Sequence, residues 1–155
     1  MKRLLIAVLP FLFACGPKYI PGTQIPDRPE YREILQLVER YKEALEKRDV
    51  KTLAAMVSRK YYENAGTTST SRDDYGYEGL VKRVFPYLQD NVKAVQYRIH
   101  VQRIKINKNR AYAEFEYWAK VLIEVGGEKK WIFKNDFDRL DFVREDGVWR
   151  IIRGM

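Results

Sequence analysis

The spacing of hydrophobic residues changes once along this chain, and that change constrains the fold more than any other feature. Between Glu30 and Leu88, apolar residues recur three or four positions apart, which is the spacing of amphipathic helices. After residue 93 they alternate at every second position, which is the spacing of β-strands with one buried face. This order predicts an α+β domain in which three N-terminal helices pack on an antiparallel sheet.

The helical part divides into three segments. The apolar face of the first consists of Ile34, Leu37, Val38, Tyr41 and Leu45. Asp49 is predicted to cap the second helix, whose apolar face consists of Val50, Leu53, Met56 and Val57. A polar loop over residues 64–74 precedes the third helix, which carries Tyr77, Leu80, Val81, Val84 and Leu88. We expect Pro86 to end or kink this helix, because proline removes a backbone donor.

Turn residues divide the rest of the chain into four consecutive strands. The turns fall at Asn107-Lys108-Asn109, Gly126-Gly127 and Asp146-Gly147, which predicts an antiparallel meander. In the first strand the alternation changes phase between Val101 and Ile104, and this indicates a β-bulge near Gln102-Arg103. Strands this long twist and bend, so we expect a strongly curved sheet with a concave face toward the helices.

Two segments carry a family resemblance. They are Ala44-Leu45-Glu46-Lys47-Arg48-Asp49-Val50 at the end of the first helix and Arg144-Glu145-Asp146-Gly147-Val148-Trp149-Arg150-Ile151 at the end of the chain. With the element order, they resemble the nuclear transport factor two-like superfamily over residues 30–155, and the resemblance implies its cone fold. That superfamily includes ketosteroid isomerases, scytalone dehydratases, polyketide cyclase-like enzymes and many non-enzymatic modules. The resemblance therefore leaves the function open.

The turns also predict which residues face each other across the strands. A two-residue loop at Gly126-Gly127 places Tyr117 opposite Asp136 and Phe115 opposite Asp138. A two-residue loop at Asp146-Gly147 places Phe142 opposite Ile151 and Leu140 opposite Arg153. The concave face is then mainly apolar, with one polar cluster that we expect to form a binding pocket: Tyr117, Lys134, Asp136, Asp138 and Arg153.

Within this cluster, Asp136 and Asp138 are the candidate catalytic residues. Two close carboxylates in an apolar pocket can raise the pKa of one of them, as a general base requires, and Tyr117 would donate a hydrogen bond to a substrate. The alternative is structural: Asp138 pairs with Arg153, and Asp136 pairs with Lys134. His100, the only histidine, is expected to face solvent on the first strand.

The opposite, convex face is predicted to be rich in aromatic residues. It carries Trp118, Leu122, Trp131, Phe133 and Phe137. Such a patch exceeds what a monomer usually exposes, so Trp118, Trp131 and Phe133 are candidate interface residues for a homodimer or a protein partner. The alternatives are that the tether formed by residues 15–29 or a C-terminal neighbour covers them, or that the third strand has a different register, which would reverse its faces.

The amino terminus has the layout of an export signal over residues 1–14, with a positive start and the apolar stretch Leu4–Phe13. The segment Leu12-Phe13-Ala14-Cys15-Gly16 resembles the lipobox of bacterial lipoproteins. The resemblance implies lipidation of Cys15 and a place in the cell envelope, and Gly16 favours the periplasmic face of the outer membrane. Residues 15–29 contain four of the six prolines, which predicts a lipid-anchored tether.

The amino-acid composition narrows the possible cofactors, metal sites and partners of this chain. A single cysteine excludes an internal disulfide, and a single histidine argues against a metal site. No nucleotide-binding motif is visible, so we expect no cofactor. Signal removal leaves 27 basic and 21 acidic residues, a charge of +6. These charges alternate in sign, and with export this argues against a nucleic-acid partner.

Three functional hypotheses follow. The first is a non-catalytic envelope lipoprotein that binds a small apolar ligand or an envelope protein partner. The second is a small-substrate enzyme of the isomerase, dehydratase or cyclase type, with Asp136 or Asp138 as the general base. The third is a structural subunit of an envelope complex.

Overall fold

The computed structural model describes residues 18–64 and 73–155. The predicted signal, Cys15 and most of the predicted polar loop lie outside these ranges. The described helices are α1 (Pro29–Lys47), α2 (Val50–Met56) and α3 (residues 77–90). A two-stranded ribbon of β1 (Tyr62–Glu63) and β2 (Tyr75–Gly76) precedes α3. The prediction of three helices is confirmed, although it did not include this ribbon.

The buried face of α1 and the cap of α2 are those that the sequence predicts. α1 buries Ile34, Val38 and Tyr41 from its predicted face. The Asp49 carboxylate caps α2 by accepting the Thr52 N–H at 3.0 Å, as predicted. None of the described helices is both long and apolar enough to cross a membrane.

Pro86 does not end α3. This helix consists of the α-helical turn Tyr77–Gly79, the π-helical turn Leu80–Val84 and the α-helical segment Phe85–Asp90. A proline inside a regular helix leaves one carbonyl without its usual donor, and a wider π-helical turn is one way to accommodate that loss. The helix therefore continues for four residues past Pro86.

Four antiparallel strands, three of them long, form the main sheet. They are β3 (Val92–Asn107), β4 (Arg110–Val125), β5 (Glu128–Glu145) and β6 (Val148–Arg153), in the order β3-β4-β5-β6. This confirms the predicted meander. Val101 pairs with Phe115 and Arg103 pairs with Glu114, so Gln102 is the extra residue of the predicted bulge.

The predicted register is confirmed between β4 and β5 but fails at one position between β5 and β6. Tyr117 lies opposite Asp136 and Phe115 opposite Asp138. Phe142 lies opposite Ile151 as expected, but Arg153 lies opposite Asp141 instead of Leu140. The cause is a register shift between Asp141 and Phe142, which two-residue turn counting does not reveal.

The core lies between the concave side of the sheet and the helices. The fully buried sheet residues of the core are Ala113, Phe115, Leu140, Phe142 and Ile151, and Ile34 contributes from α1. Ile25 is only 2% exposed and joins the same core. The stretch predicted as a tether therefore contributes at least this side chain to the domain.

β5 extends well beyond its partner β6. β6 pairs only with Asp141–Glu145. Beyond Arg153, Gly154 takes a φ of +97° directly against β5, where a Cβ would lie 2.0 Å from the Arg139 carbonyl oxygen. We call residues 128–139 the outer segment of β5 and residues 140–143 its inner segment. Every residue of the outer segment is exposed, and every residue of the inner segment is buried.

Candidate functional site

The structure brings four of the five predicted pocket residues to one side of the sheet. Tyr117 on β4 lies opposite Asp136, with Lys134 and Asp138 two residues away on either side along β5. The Lys134 ammonium lies 3.5 Å from Asp136 and 5.5 Å from the centre of the Tyr117 ring. The Tyr117 hydroxyl, and after it the Asp136 carboxylate, raise the pKa of Lys134 above its usual range.

Arg153 is not part of this concave cluster. The prediction that it pairs with Asp138 is wrong, because the register shift in β5 places Arg153 opposite Asp141. Its guanidinium binds that carboxylate at 2.9 and 3.0 Å. The predicted pair of Lys134 and Asp136 is present, so the structural alternative holds for one aspartate and fails for the other.

Both aspartates also cap the exposed edge of β5. The Asp136 carboxylate accepts the backbone N–H of Phe137 at 2.9 Å, and the Asp138 carboxylate accepts the N–H of Arg139 at 2.7 Å. In an antiparallel ladder, N–H groups that point away from one neighbour alternate with those that point toward it. The two side chains therefore occupy two of the donors that face away from β4.

Asp138 has the electrostatics of a candidate general base. Desolvation by neighbouring groups raises the pKa of its carboxyl group. The Arg139 N–H and Lys134 lower it, while Glu63 and Asp136 add to the increase. The net effect is a pKa above the usual value, so this carboxylate accepts a proton more readily than an ordinary surface aspartate.

Three tyrosines lie beside Asp138 on the concave side. The rings of Tyr97 and Tyr117 stack with centres 5.3 Å apart, and Tyr41 meets Tyr97 edge-on at 6.5 Å. Burial is the main cause that raises the pKa of both Tyr41 and Tyr97 above the usual tyrosine value. These hydroxyl groups therefore stay protonated and are able to donate hydrogen bonds.

The convex side of β4 and β5 carries the predicted aromatic residues. We call Trp118, Trp131, Phe133 and Phe137 the aromatic face. Their side chains are 40% to 70% exposed, and Phe133 is the most exposed of them. The Lys120 ammonium lies 4.5 Å from the centre of the Trp131 ring and 5.5 Å from that of Phe133. This cation–π contact holds the two rings in place on the surface.

The exposure of this face has a simple geometric cause. β6 pairs only with Asp141–Glu145, so among the described strands the outer segment of β5 pairs with β4 alone. The unpaired edge runs beside Trp131 and Phe133. An exposed edge next to exposed aromatic rings is a surface suited to contact with another protein.

The remaining candidates from the sequence are His100 and possible metal ligands, and they form no site in the described residues. His100 is exposed and lies opposite Glu116, as expected for a histidine on the solvent side of β3. Within residues 18–64 and 73–155, no three histidine, cysteine or acidic side chains are close enough together to hold a metal ion.

Sequence reasoning missed two features of this region. Tyr41 was predicted only as part of the apolar face of the first helix, and Tyr97 was not singled out. The fold alone shows that their rings lie beside Asp138. The unpaired edge of β5 is visible only in the fold, where β6 has six residues and β5 has eighteen.

Comparison with protein families gives one match. The model of the SnoaL-like domain matches residues 27–153 of this chain. A comparison with curated proteins found no match.

Solved structures with the same fold are numerous. A conserved protein from Planctomyces limnophilus has a TM-score of 0.65 and 20% identity, covering 81% of this chain and 92% of its own. A nuclear transport factor 2 (NTF2-like) superfamily protein from Salmonella enterica has a TM-score of 0.63 and 14% identity, with coverage of 79% and 86%. The association domain of CaMKII from C. elegans has a TM-score of 0.61 and 12% identity, with coverage of 81% and 92%. At these identities the similarity establishes the NTF2-like fold.

Proposed function

This chain belongs to the SnoaL-like domain family, and from that membership and the geometry of its sheet we propose that it is a non-catalytic interaction module of the bacterial cell envelope. In this proposal the aromatic face binds another protein surface. The observation that carries it is the set of four aromatic side chains, 40% to 70% exposed, on two adjacent strands. Aromatic residues are enriched in protein interfaces because they bury a large area with few rotatable bonds.

A second copy of the chain is the partner that this face fits best. Glu116, Trp118 and Lys120 follow one another on the convex side of β4. A two-fold axis at Trp118 would bring Glu116 of one copy opposite Lys120 of the other, and the reverse pair would form by symmetry. The solved association domain with this fold supports a role in association.

Sedimentation of the purified full chain in a neutral detergent tests this proposal. We expect a dimer at micromolar concentrations, and we expect Phe133→Lys to weaken dimer formation by at least about tenfold. Ile132→Lys is the matched control, because Ile132 is also exposed but lies on the concave side of the same strand. A monomeric wild-type chain, or equal losses in both variants, would contradict self-association through this face.

The proposal does not extend to a small apolar ligand on the concave side. There Tyr97 contacts both Tyr41 and Tyr117, with ring centres 6.5 and 5.3 Å apart. These are direct ring contacts, and no further ring fits between them.

One observation favours an enzyme as the second candidate. Asp138 has no ion pair among the described residues, and its pKa is raised beside the hydroxyl-bearing rings of Tyr41 and Tyr97. It would act as the general base in an isomerase- or cyclase-type reaction. Screening with carbonyl substrates tests this role: any turnover should disappear in Asp138→Asn and persist in Asp136→Asn.

The envelope location rests on the amino-terminal sequence. Leu12-Phe13-Ala14-Cys15 would be processed as a lipobox, and acyl chains on Cys15 would anchor the module at the periplasmic face of the outer membrane. Labelling cells with a radioactive fatty acid tests this placement. We expect labelled protein in the membrane fraction, and an unlabelled, released protein for Cys15→Ser. An unlabelled wild-type protein would contradict lipidation, and equal labelling of both proteins would contradict Cys15 as its site.

A further inference from the structure

A cleft of about 830 Å³ lies at the other end of the sheet from Trp131 and Phe133. It is bounded by the β3–β4 turn, the inner end of β5 and the last residues of β6. Among the described residues that line it, five are basic and one is acidic. The basic residues are Lys60, Lys105, Arg110, Arg139 and Arg153, and the acidic one is Asp141. We call this set the cationic cleft.

Asp141 holds two of the guanidinium groups in fixed positions. One carboxylate oxygen of Asp141 accepts hydrogen bonds from Nε and Nη2 of Arg139 at 2.8 and 2.6 Å. The other oxygen lies 3.0 Å from Nε and 2.9 Å from Nη2 of Arg153. The Asp141 side chain is 13% exposed. The register shift at Asp141 creates this arrangement, because it places Arg153 directly opposite the carboxylate.

The two guanidinium groups remain available to a ligand. Their side chains are 43% and 52% exposed, although Asp141 occupies one side of each. Arg139 also stacks on the ring of Tyr112, 3.9 Å from its centre. Both groups are therefore held in place. Their Nη1 donors lie outside the contacts with Asp141, although Nη1 of Arg139 also lies 4.0 Å from a carboxylate oxygen of Glu114, whose side chain is 35% exposed. Donors positioned in advance lose little conformational entropy when they bind.

The other three cations have weak partners or none. The side chains of Lys105 and Arg110 have no hydrogen bond or ion pair within residues 18–64 and 73–155. Lys60 lies 3.4 Å from Glu145, but its side chain is 78% exposed, so this contact is screened by solvent. The lining carries five cations and one carboxylate, and Glu145 and Glu114 contact Lys60 and Arg139 from outside it at 3.4 and 4.0 Å. Counted with these two carboxylates, the cleft keeps a positive excess, which Lys105 and Arg110 carry without a partner among the described residues.

We propose that the cationic cleft binds clustered phosphate groups, carried by a free polyphosphorylated molecule or by a lipid headgroup with more than one phosphate. Arginine forks match phosphate oxygens, and two or more phosphates would balance the excess charge. The cleft adjoins the aromatic face at Arg139, which lies two residues from Phe137 on the same strand, but it uses different residues and its binding does not depend on self-association.

The experiment measures ligand-induced stabilisation of the purified full chain in a neutral detergent. Sodium tripolyphosphate is the free probe, and cardiolipin added to the micelles is the lipid probe, with phosphatidylcholine as its control. A ligand that binds only the folded state raises the melting temperature with its concentration. Stabilisation by tripolyphosphate identifies a free phosphate ligand, and stabilisation by cardiolipin alone identifies a lipid headgroup.

Two double variants distinguish binding at the cationic cleft from general charge attraction. Lys105→Ala with Arg110→Ala should weaken binding at least about tenfold without loss of thermal stability, because neither side chain has a partner to lose. Lys129→Ala with Lys130→Ala removes the same charge from the outer segment of β5 and should change affinity less than about threefold. Equal losses in the two variants, or no stabilisation by either probe, would overturn the proposal.

A third variant tests the role of Asp141 as a positioning residue. Asp141→Asn makes the cleft more positive but releases the two guanidinium groups. Fixed orientation predicts weaker binding, and simple charge attraction predicts tighter binding. Tighter binding would therefore overturn the assignment of Asp141, while the Lys105 and Arg110 result stands even if this variant folds poorly.

Discussion

The inner and outer segments of β5 belong to one strand, but their large apolar residues lie mainly on opposite faces and their surroundings differ. Leu140 and Phe142 in the inner segment are fully buried, with β6 beside them and the helices above. Trp131, Ile132, Phe133 and Phe137 in the outer segment are equally apolar and fully or partly open to solvent. The difference shows that burial is set here by the neighbours that the fold supplies. The outer segment has the apolar composition of a buried strand, but β6 does not extend over it.

The comparison predicts its largest effect for truncation of aromatic side chains in the two segments. Phe142→Ala should lower the free energy of unfolding by about 4 kcal/mol, because it opens a cavity in the core. Phe133→Ala should lower it by less than about 0.5 kcal/mol, because the ring is mostly in water. Urea denaturation at concentrations where the chain is monomeric measures both values. Similar losses would show that the outer segment is already covered by its own chain.

Removal of a carboxylate should also lower the free energy of unfolding more in the inner segment than in the outer segment. Asp141→Asn leaves two guanidinium groups without their nearly buried partner and should cost about 2 kcal/mol of folding free energy. Asp136→Asn loses an exposed contact with Lys134 at 3.5 Å and should cost less than about 0.5 kcal/mol. The same denaturation series checks both. A larger cost at Asp136 would contradict the assignment of Asp141 as the structural carboxylate.

Most of the sheet was predictable from the sequence because its signals are local. The Gly126-Gly127 turn and the alternation of β4 determine which residues lie opposite Asp136 and Asp138, and the phase change in β3 locates the bulge at Gln102. The pairing of Arg153 was not predictable, because the shift beside Asp141 leaves no mark in the alternation. The ribbon of β1 and β2 was missed because strands of two residues have no period.

The candidate site was predictable only in part for a related reason. The alternation placed Tyr117, Lys134, Asp136 and Asp138 on one face, and it placed the aromatic residues on the other. Which carboxylate is paired depends on contacts between segments far apart in sequence, such as Asp141 with Arg153. The cationic cleft has the same origin, since its basic residues come from β3, β4, β5, β6 and the segment after α2.

The smallest expected effect is the contribution of Asp138 to the pH dependence of thermal stability. Its pKa is raised above the usual value of 3.8, so the folded state binds a proton more readily than the unfolded state does. Stability contributed by this group is therefore lost as pH rises from the unfolded pKa through the raised folded pKa. Asp138→Asn should remove this dependence and raise the melting temperature at pH 7 by about 1 °C. A lower melting temperature would show that the carboxylate is needed to cap the Arg139 N–H.

The central claim is that the aromatic face packs against another copy of the chain, and site-specific photo-crosslinking in intact membranes tests it most directly. A photoreactive phenylalanine derivative replaces Phe133 in one strain and Ile132 in another, so that the two probes leave opposite faces of the same strand. The account predicts a crosslinked dimer from position 133 and none from position 132. No dimer from position 133, or equal yields from both positions, would contradict it.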